Sequence, residues 1–450
     1  MPPLWSFGIW MSRMTYFSAE EVEDICDRLR SEHYPCDVIH LDTGWFRTDW
    51  LCEWKYNPER FPDPEDFIRR LADKGFKVSL WQLPYVAQGA EQLAEAKANK
   101  YISQPTKKED TTTGGASNFS ALDYAGTIDF TYDKATDWYK NTLLKPLLQM
   151  GVKCIKTDFG ENIHMDHVYH AMTPERLNNL YALLYQRSAY ESGRLTPNPS
   201  ESLIWARAAW AGCQRYPVHW GGDSESSWDG MAGSLKGGLH LGLSGFAFWS
   251  HDVPGFHSTP DFMNSPIDPM VYVRWTQFGV FTSHIRYHGT CKREPWHYPA
   301  IAPIVKKWWK LRYRLIPYIV EQSKQACCSG WPIIQALLMH HPDDRQVWNI
   351  DDEYYFGSEF LVCPMMNSEN RRDIYLPLIS DYWVNLFTGE RYEGGRWHYG
   401  VECPLEQMPV FVREGASIPF YPDDVDNTDE MDLNKTIPLM ITPDFKGIEL

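Results

Sequence analysis

An α/β architecture, a (β/α)8 barrel followed by a small all-β sandwich, is what this 450-residue sequence predicts. Three observations carry that reading. Short β-branched runs alternate with capped amphipathic helices, about eight times over roughly 320 residues, as a parallel barrel requires. Four of those runs close on a carboxylate: Asp42, Asp158, Asp223 and Asp252. Past a helical stretch at 308–324 the texture changes to strand-like runs separated by turns at Asp351-Asp352, Thr388-Gly389 and Gly394-Gly395. The expected organisation is a barrel over residues 1–328, with an insertion at about 86–126, and a β-sandwich over 329–420. Residues 421–450, acidic and broken by prolines, read as a poorly packed tail or the truncated start of a further domain. A doubly wound open sheet is the alternative.

The elements follow in order. Residues 6–11 read as the first strand. Ser18-Ala-Glu-Glu21 is a capping box opening a helix to about Glu32. Residues 36–42 form the second strand, ending in Asp42 before Thr43-Gly44-Trp45. Asp63-Pro64 caps a helix with Phe67, Ile68 and Leu71 on one face, and Gly75 ends it before a strand at 76–83. This βαβαβ rhythm implies parallel pairing. The insertion at 86–126 is polar, rich in threonine and glycine, and reads as a loop or hairpin, with a short extra strand at 127–130. A helix over about 134–150 leads into Gly151-Val-Lys-Cys-Ile155 and then Lys156-Thr-Asp-Phe-Gly-Glu161. Thr173-Pro174 caps a helix with a stripe of Leu177, Leu180, Leu183 and Leu184. Strands at 203–208, 218–223, 246–252 and 282–288 complete the series. Neither a glycine-rich dinucleotide turn nor a GxxxxGK phosphate loop is present.

Composition narrows the function classes. A formal net charge of -16 argues against nucleic acid and anionic membranes, both of which need a basic footprint. No apolar run approaches membrane-spanning length, and Met1-Pro-Pro-Leu lacks the basic and apolar regions of a secretory signal, so a cytoplasmic location is expected. The ten cysteines show no CxxC spacing and point to buried thiols in a reducing compartment. The chain has 20 Trp, and aromatic faces both fill cores and stack on sugar rings. His164, His167 and His170 with Asp166 suggest a metal site, but the chemistry argued below needs neither metal nor cofactor, and none is expected. Assembly of identical chains stays open.

Lys156 and Asp158 lie two apart on a strand and so point to one face. The ammonium keeps the carboxylate ionised, which suits a nucleophile and equally suits a salt bridge that orders a strand end. In a barrel, all the strand-end carboxylates share one mouth with Arg207 and His288. Acyl transfer lacks a serine or cysteine elbow, and hydride transfer lacks a nucleotide site. Two facing carboxylates, one ionised and one protonated, are what retaining glycoside hydrolysis needs. Asp158 suits the first role. Asp223 suits the second, after Trp220-Gly221-Gly222 and near Glu225.

Lys156-Thr-Asp-Phe-Gly-Glu161, His219-Trp-Gly-Gly-Asp223 and Phe248-Trp-Ser-His-Asp252 resemble glycoside hydrolase family 31, in its α-xylosidase type, over roughly residues 4–420. The resemblance implies Asp158 as nucleophile and Asp223 as acid/base of a retaining exo-α-glycosidase acting on an oligosaccharide or glycoside. It also implies that Asp42, Trp81, Lys156, Arg207, Trp220, Asp252 and His288 line the terminal-sugar pocket, with Phe256 close by. Two departures stand out. The chain begins at the first barrel strand, where the family carries a β-sandwich that lends a loop to the active-site rim, and it stops where a further β domain would follow. It is therefore expected to be a fragment or a reduced form, and a truncated, non-catalytic sugar-binding chain is the reading from another class. The second departure is Thr43-Gly44 in place of Cys-Phe. A bulky aromatic there would fill the space of a hexose hydroxymethyl group and so select xylose, whereas glycine leaves that space open unless Met14, Tyr16, Phe17 or Trp45 fills it. α-Xyloside is the preferred substrate, with α-glucoside or α-galactoside as alternatives.

Overall fold

Eight parallel strands close around the mouth that the strand-end carboxylates define. The structure is a computed structural model that describes residues 1–106, 124–196, 198–379 and 382–450. The strands are β1 (Ile9–Arg13), β2 (Val38–Leu41), β3 (Lys77–Gln82), β4 (Cys154–Thr157), β5 (Ile204–Ala206) and β6 (His219–Trp220), then β7 and β8 (Ile285–Tyr287). β7 runs as Trp249–Ser250 and resumes at Asp252–Val253. Its first half pairs with β6 (His219↔Trp249) and its second with β8 (Asp252↔Arg286), while β8 pairs with β1 (Ile9↔Ile285), so the ring closes. The open-sheet alternative is thereby set aside. Each strand lies near its expected place but is shorter; residues 6 and 7, expected within the first strand, end a 3-10 turn over Leu4–Phe7 instead.

Around the ring run α1 (Ala19–Ser31), α2 (Pro64–Asp73) and α3 (Asp133–Trp138, continuing through π-helical Tyr139–Leu144 into Lys145–Gln149). α4 (Pro174–Gly193), α5 (Trp228–Leu243), α6 (Pro269–Val280), α7 (Ala302–Arg314) and α8 (Ile316–Ser329) follow. Pro146 has no N–H for the preceding turn, and the π stretch lies just before it. Ser18 Oγ accepts the Glu21 N–H at 3.2 Å, half of the expected capping box. The Glu21 carboxylate turns away to Phe17 N–H and Arg13, both at 2.7 Å. On α4 the buried stripe is Leu177, Tyr181 and Tyr185, whereas Leu180, Leu183 and Leu184 are only partly covered. The tyrosine rings pack on Phe130 at 5.6 and 5.7 Å and outcompete the leucines for the interior.

Within the insertion, Tyr85–Ala87 pairs antiparallel with Tyr124–Thr127, so the extra strand falls just before its expected span. Gln104–Pro105 pairs with His167–Val168. Residues 107–123, the centre of the expected insertion, lie outside the described residues.

The C-terminal portion is antiparallel. It comprises β9 (Ile334–Ala336), β10 (Tyr354–Phe356), β11 (Phe360–Val362), β12 (Arg371–Leu376), β13 (Tyr382–Asn385), β14 (Arg391–Glu393), β15 (Arg396–Glu402) and β16 (Val410–Arg413). One sheet runs β9-β10-β11-β16-β13-β14, and β12 pairs with β15 over a second small core. Fully buried Arg274 on α6 ties this layer to the barrel by donating to Asn370 Oδ1 at 2.7 Å and Cys403 O at 3.0 Å.

Residues 421–450 are largely exposed, as a loosely packed tail would be, but are pinned to the rest of the fold at a few points. β17 (Ser417–Phe420) pairs with β18 (Ile437–Met440), and Cys36 N–H donates to Asp426 O at 2.9 Å. Thr428 N–H donates to Asp37 Oδ1 at 3.0 Å beneath the barrel. Among the described residues, no helix is long and apolar enough to cross a membrane. The ten cysteines are free, seven of them buried.

Candidate active site

β4 delivers Lys156 and Asp158 to the inner face, as strand alternation requires, and the chain then breaks sharply. Phe159 takes a left-handed φ of 57° and Gly160 follows at 88°. A Cβ on Gly160 would lie 2.8 Å from Tyr185 Cδ1, so only glycine fits that turn. The reversal folds the Phe159 N–H onto Asp158 Oδ1 at 2.8 Å. Arg207 Nη1 meets the same oxygen at 2.8 Å, while Trp81 Nε1–H donates to Oδ2 at 2.7 Å and Lys156 Nζ stands 3.6 Å away. Burial alone would raise this carboxyl, but Arg207 and Lys156 outweigh it and hold Asp158 below the ordinary carboxylate range.

Lys156 Nζ also donates to Asp42 Oδ2 at 2.7 Å. Burial of Asp42 is overcome by Lys156 and His40, leaving its pKa at about 2. The His40 Nε2–H reaches Asp42 Oδ2 at 2.9 Å, so Nδ1 accepts from Ser79 at 2.9 Å. His288 is neutral by the same logic: burial, then Lys156, pushes its pKa well down. Ser12 Oγ–H is committed to His40 O at 3.0 Å, so His288 Nδ1 donates to Ser12 at 2.8 Å and leaves Nε2 facing Lys156 at 3.4 Å.

Asp223 stands across the mouth on the loop after β6, beyond Gly222 at φ 76°. That loop is braced: Phe256 N–H donates to Ser224 O and Ser226 N–H to His257 O, both at 2.7 Å. Gly255 allows the contact, since a Cβ there would lie 2.5 Å from Ser226 Cα. The Asp223 side chain is 46% open and lines the cavity. Desolvation in that setting, then repulsion from Asp158, raises its pKa to about 7, against a smaller pull from Arg207. Arg207 Nη1 lies 3.8 Å from Asp223 Oδ2, so one guanidinium nitrogen sits between both carboxylates.

Six of the expected residues (Asp42, Lys156, Asp158, Arg207, Asp223 and Phe256) line one cavity of about 580 Å³. The other four stand behind its wall. Trp81 and His288 are fully buried and hold Asp158 and Lys156 respectively, and Trp220 lies against Lys156 at 4.9 Å. Asp252 is buried in an ion pair with Arg286 beneath the floor, off the cavity wall. Arg286 engages only its Oδ1, while Oδ2 has no hydrogen-bond partner among the described residues.

Residues that sequence reasoning missed complete the site. His40 and Arg286 sit two before Asp42 and His288, and strand alternation carries that signal. Glu161 holds Arg207 bidentately, at 2.7 and 3.2 Å, and lay inside the hexapeptide already singled out. Phe159 underlies the Arg207 guanidinium at 4.1 Å. Trp50 lines the cavity and packs edge-on to Trp81 at 5.4 Å; it comes from a loop that no periodicity marks. Of the candidates to fill the corner beside Gly44, Met14 lines the cavity. Trp45 turns away to donate to Trp81 O at 2.8 Å, Tyr16 is buried, and Phe17 is 63% exposed. A Cβ on Gly44 would lie 2.5 Å from Thr15 Cγ2, so Thr15 already occupies that space. His164 and His167 bond Thr127 and Ser103 hydroxyls at 2.7 and 2.8 Å, and among the described residues no group of three or more His, Cys, Asp and Glu side chains is arranged to hold a metal ion.

Residues 1–322 match the family description "Glycosyl hydrolases family 31 TIM-barrel domain", and residues 330–418 match "Glycosyl hydrolase family 31 C-terminal domain". An α-xylosidase of Emericella nidulans is 34% identical over 429 residues, covering 93% of this chain and 53% of that protein. An α-xylosidase of Lactiplantibacillus pentosus is 34% identical over 432 residues, covering 93% and 54%. The chain thus spans about half the length of these curated relatives. Among solved structures, a Flavobacterium johnsoniae dextranase complexed with isomaltotriose superposes with a TM-score of 0.87 at 29% identity, covering 96% of this chain and 54% of that one. A soil-metagenome α-xylosidase complexed with xylose gives 0.84 at 27% identity, covering 92% and 64%.

Proposed function

The chain belongs to glycosyl hydrolase family 31, and from that premise we propose that it is a retaining exo-α-glycosidase that removes a terminal α-linked sugar, with α-xylosides preferred. The observation that carries this reading is the opposite state of two carboxylates sharing one guanidinium nitrogen: Asp158 held ionised, Asp223 raised to about 7. Asp158 attacks the anomeric carbon while Asp223 gives its proton to the leaving oxygen, which departs as an alcohol. Asp223, now ionised, takes a proton from water, which displaces Asp158 and releases the sugar with its starting configuration. No metal or cofactor enters either step. Asp42 and Lys156, which line the same cavity with His288 behind Lys156, are suited to hold the hydroxyls of the terminal sugar.

The preference for xylose rests on the corner beside Gly44. Thr15 fills the space beside Gly44, and Met14 and Trp50 narrow the cavity from its wall, which favours a pentose over a sugar carrying a hydroxymethyl group. The α-xylosidase relatives support the same choice. α-Glucoside action is the second reading, favoured by the likeness to the isomaltotriose-bound dextranase.

Aryl α-xyloside, α-glucoside and α-galactoside, assayed side by side with the chain and its Trp50→Ala variant, test the reading. The expected result is fastest release from the xyloside, and a shift in the xyloside-to-glucoside ratio of about 10- to 100-fold toward glucoside in the variant. Faster hexoside release by the unaltered chain overturns the sugar and keeps the mechanism. Absence of turnover by the folded chain favours the non-catalytic reading.

A further inference from the structure

We propose that the C-terminal sheet carries a second carbohydrate site, which holds a neutral glycan chain by stacking it on Trp397 and Tyr399. Both lie on β15, two residues apart, so they project from the same face. Their rings are near-parallel, 20° apart with centroids 6.5 Å from each other. Tyr399 is 76% exposed, more than any other large apolar side chain among the described residues. Such exposure costs free energy in water, and nothing else in the described fold covers the ring. Trp397 is anchored: its Nε1–H donates to Gln346 Oε1 at 3.1 Å, and its ring packs against Tyr375 at 5.4 Å. A fixed indole with a near-parallel tyrosine ring stacked next to it presents two aromatic rings on one strand face.

Polar groups flank the platform. A cleft of about 520 Å³ opens beside Trp397, with Glu369, Arg371, Arg372 and Asp373 in its wall. Their charges are largely matched within the wall. Arg371 stands 3.6 Å from Glu369, Arg372 Nη2 meets Asp352 Oδ2 at 2.8 Å, and Asp373 Oδ1 accepts the Gly400 N–H at 2.8 Å. A wall so paired offers little to an ionic ligand, yet it presents donors and acceptors to hydroxyl groups. Aromatic faces for C–H surfaces, with matched polar groups at their edge, are the complement of a neutral polyol chain. The glycosidase reading bears on this only by naming the polymer: a glycan held on the sheet while its end is trimmed in the barrel.

The test uses the full chain carrying Asp158→Asn, so that the polysaccharide stays intact, with and without Trp397→Ala/Tyr399→Ala. Native electrophoresis is run through gels containing a xylose-substituted glucan or dextran. The expected result is retardation by at least one polymer, lost in the double variant. With Asp158 restored, aryl α-xyloside kcat/KM should stay within about twofold of the parent, while kcat/KM on the polymer falls about three- to tenfold. Tyr399→Ala alone, at an exposed position, keeps the test valid should the double variant not fold. Equal retardation of parent and variant overturns the proposal, as does absence of retardation in both gels. So does a self-associated species that Tyr399→Ala dissolves, since the occupant would then be a second copy. Loss of aryl-glycoside turnover with retardation preserved would count against the glycosidase reading alone.

Discussion

The two ends of the barrel both bury carboxylates, and they treat them in opposite ways. At the amino ends of the strands, fully buried Asp37 receives hydrogen bonds from the Tyr313 and Thr428 hydroxyls and from the Thr428 N–H. Among the described residues no cation pairs with it directly, and burial pushes its pKa up to about 6. Buried Arg312, at the same end, meets no carboxylate. It donates to Phe7 O and Val280 O at 2.9 Å and Ser283 O at 2.7 Å, and burial pushes it down to about 9. At the mouth, cations and carboxylates interlock, so Asp42 and Asp158 stay ionised though equally buried. A buried aspartate alone is therefore a poor sign of chemistry. The informative feature is an acid held ionised beside another held protonated, both facing a cavity.

The largest expected effect crosses the two ends. Asp158→Asn should lower kcat on an aryl α-xyloside by on the order of 10⁴-fold or more, with only a modest fall in Tm, since Arg207 and Lys156 keep Glu161 and Asp42 as partners. Asp37→Asn should do the reverse. One of its hydroxyl or amide donors loses an acceptor, costing about 1–3 kcal/mol, while kcat per folded molecule stays within about twofold. Denaturant midpoints and initial rates on both variants decide it. An active Asp158→Asn chain, or an inactive but fully stable Asp37→Asn chain, would break the contrast.

pH separates the ends next. Asp158 must be ionised and Asp223 protonated for the first step, so kcat/KM should hold well into the acid range and decline above about pH 7. Stability runs differently at each end. Asp37 has a raised folded pKa, so its contribution is full below about pH 4 and lost as pH rises through about 6. That loss is up to about 3 kcal/mol. Asp42 is depressed to about 2, so its contribution is present above about pH 4 and lost as pH falls towards 2. Relative to Asp37→Asn, the parent should be more stable at pH 4 than at pH 7. A constant difference across that range would mean that Asp37 keeps an ordinary pKa.

The mouth was far more legible in the sequence than the base, for a physical reason. Strand alternation and strand ends are local, so Asp42, Lys156, Asp158 and the barrel rhythm could be read directly. The same rule reaches His40 and Arg286, which were there to be found. Asp37 acquires its meaning only through Thr428, 391 residues away, and the 421–450 segment looked loose because its partners lie on α1 and β2. Trp50 sits in a loop, where no period marks the inward face. On α4 the error was chemical: leucines were weighed and tyrosines passed over, though rings bury the larger surface. Asp252 also ends its strand as that rule expects, but its ion pair with Arg286 depends on a neighbouring strand that the local pattern does not reveal.

The smallest expected effect lies within the mouth and tests whether its charges act as one network. Glu161 is itself part-exposed and touches neither carboxylate directly, yet it fixes both Nε and Nη2 of Arg207. That grip, with Phe159 beneath, leaves Nη1 to lie 2.8 Å from Asp158 and 3.8 Å from Asp223. Glu161→Gln keeps the shape but removes the charge that offsets the guanidinium. Arg207 is then freer to turn towards Asp223, and its positive charge favours the ionised acid. The alkaline limb of kcat/KM should move below about pH 7, and kcat should fall about tenfold, equivalent to about 1.4 kcal/mol, with KM for a small aryl glycoside little changed. A variant that only loosened the turn would lower kcat across the whole pH range and leave the limb in place. A shifted limb marks Glu161 as a positioning residue acting through Arg207, and the base of the barrel offers no counterpart, because Asp37 and Arg312 have no shared charge to move.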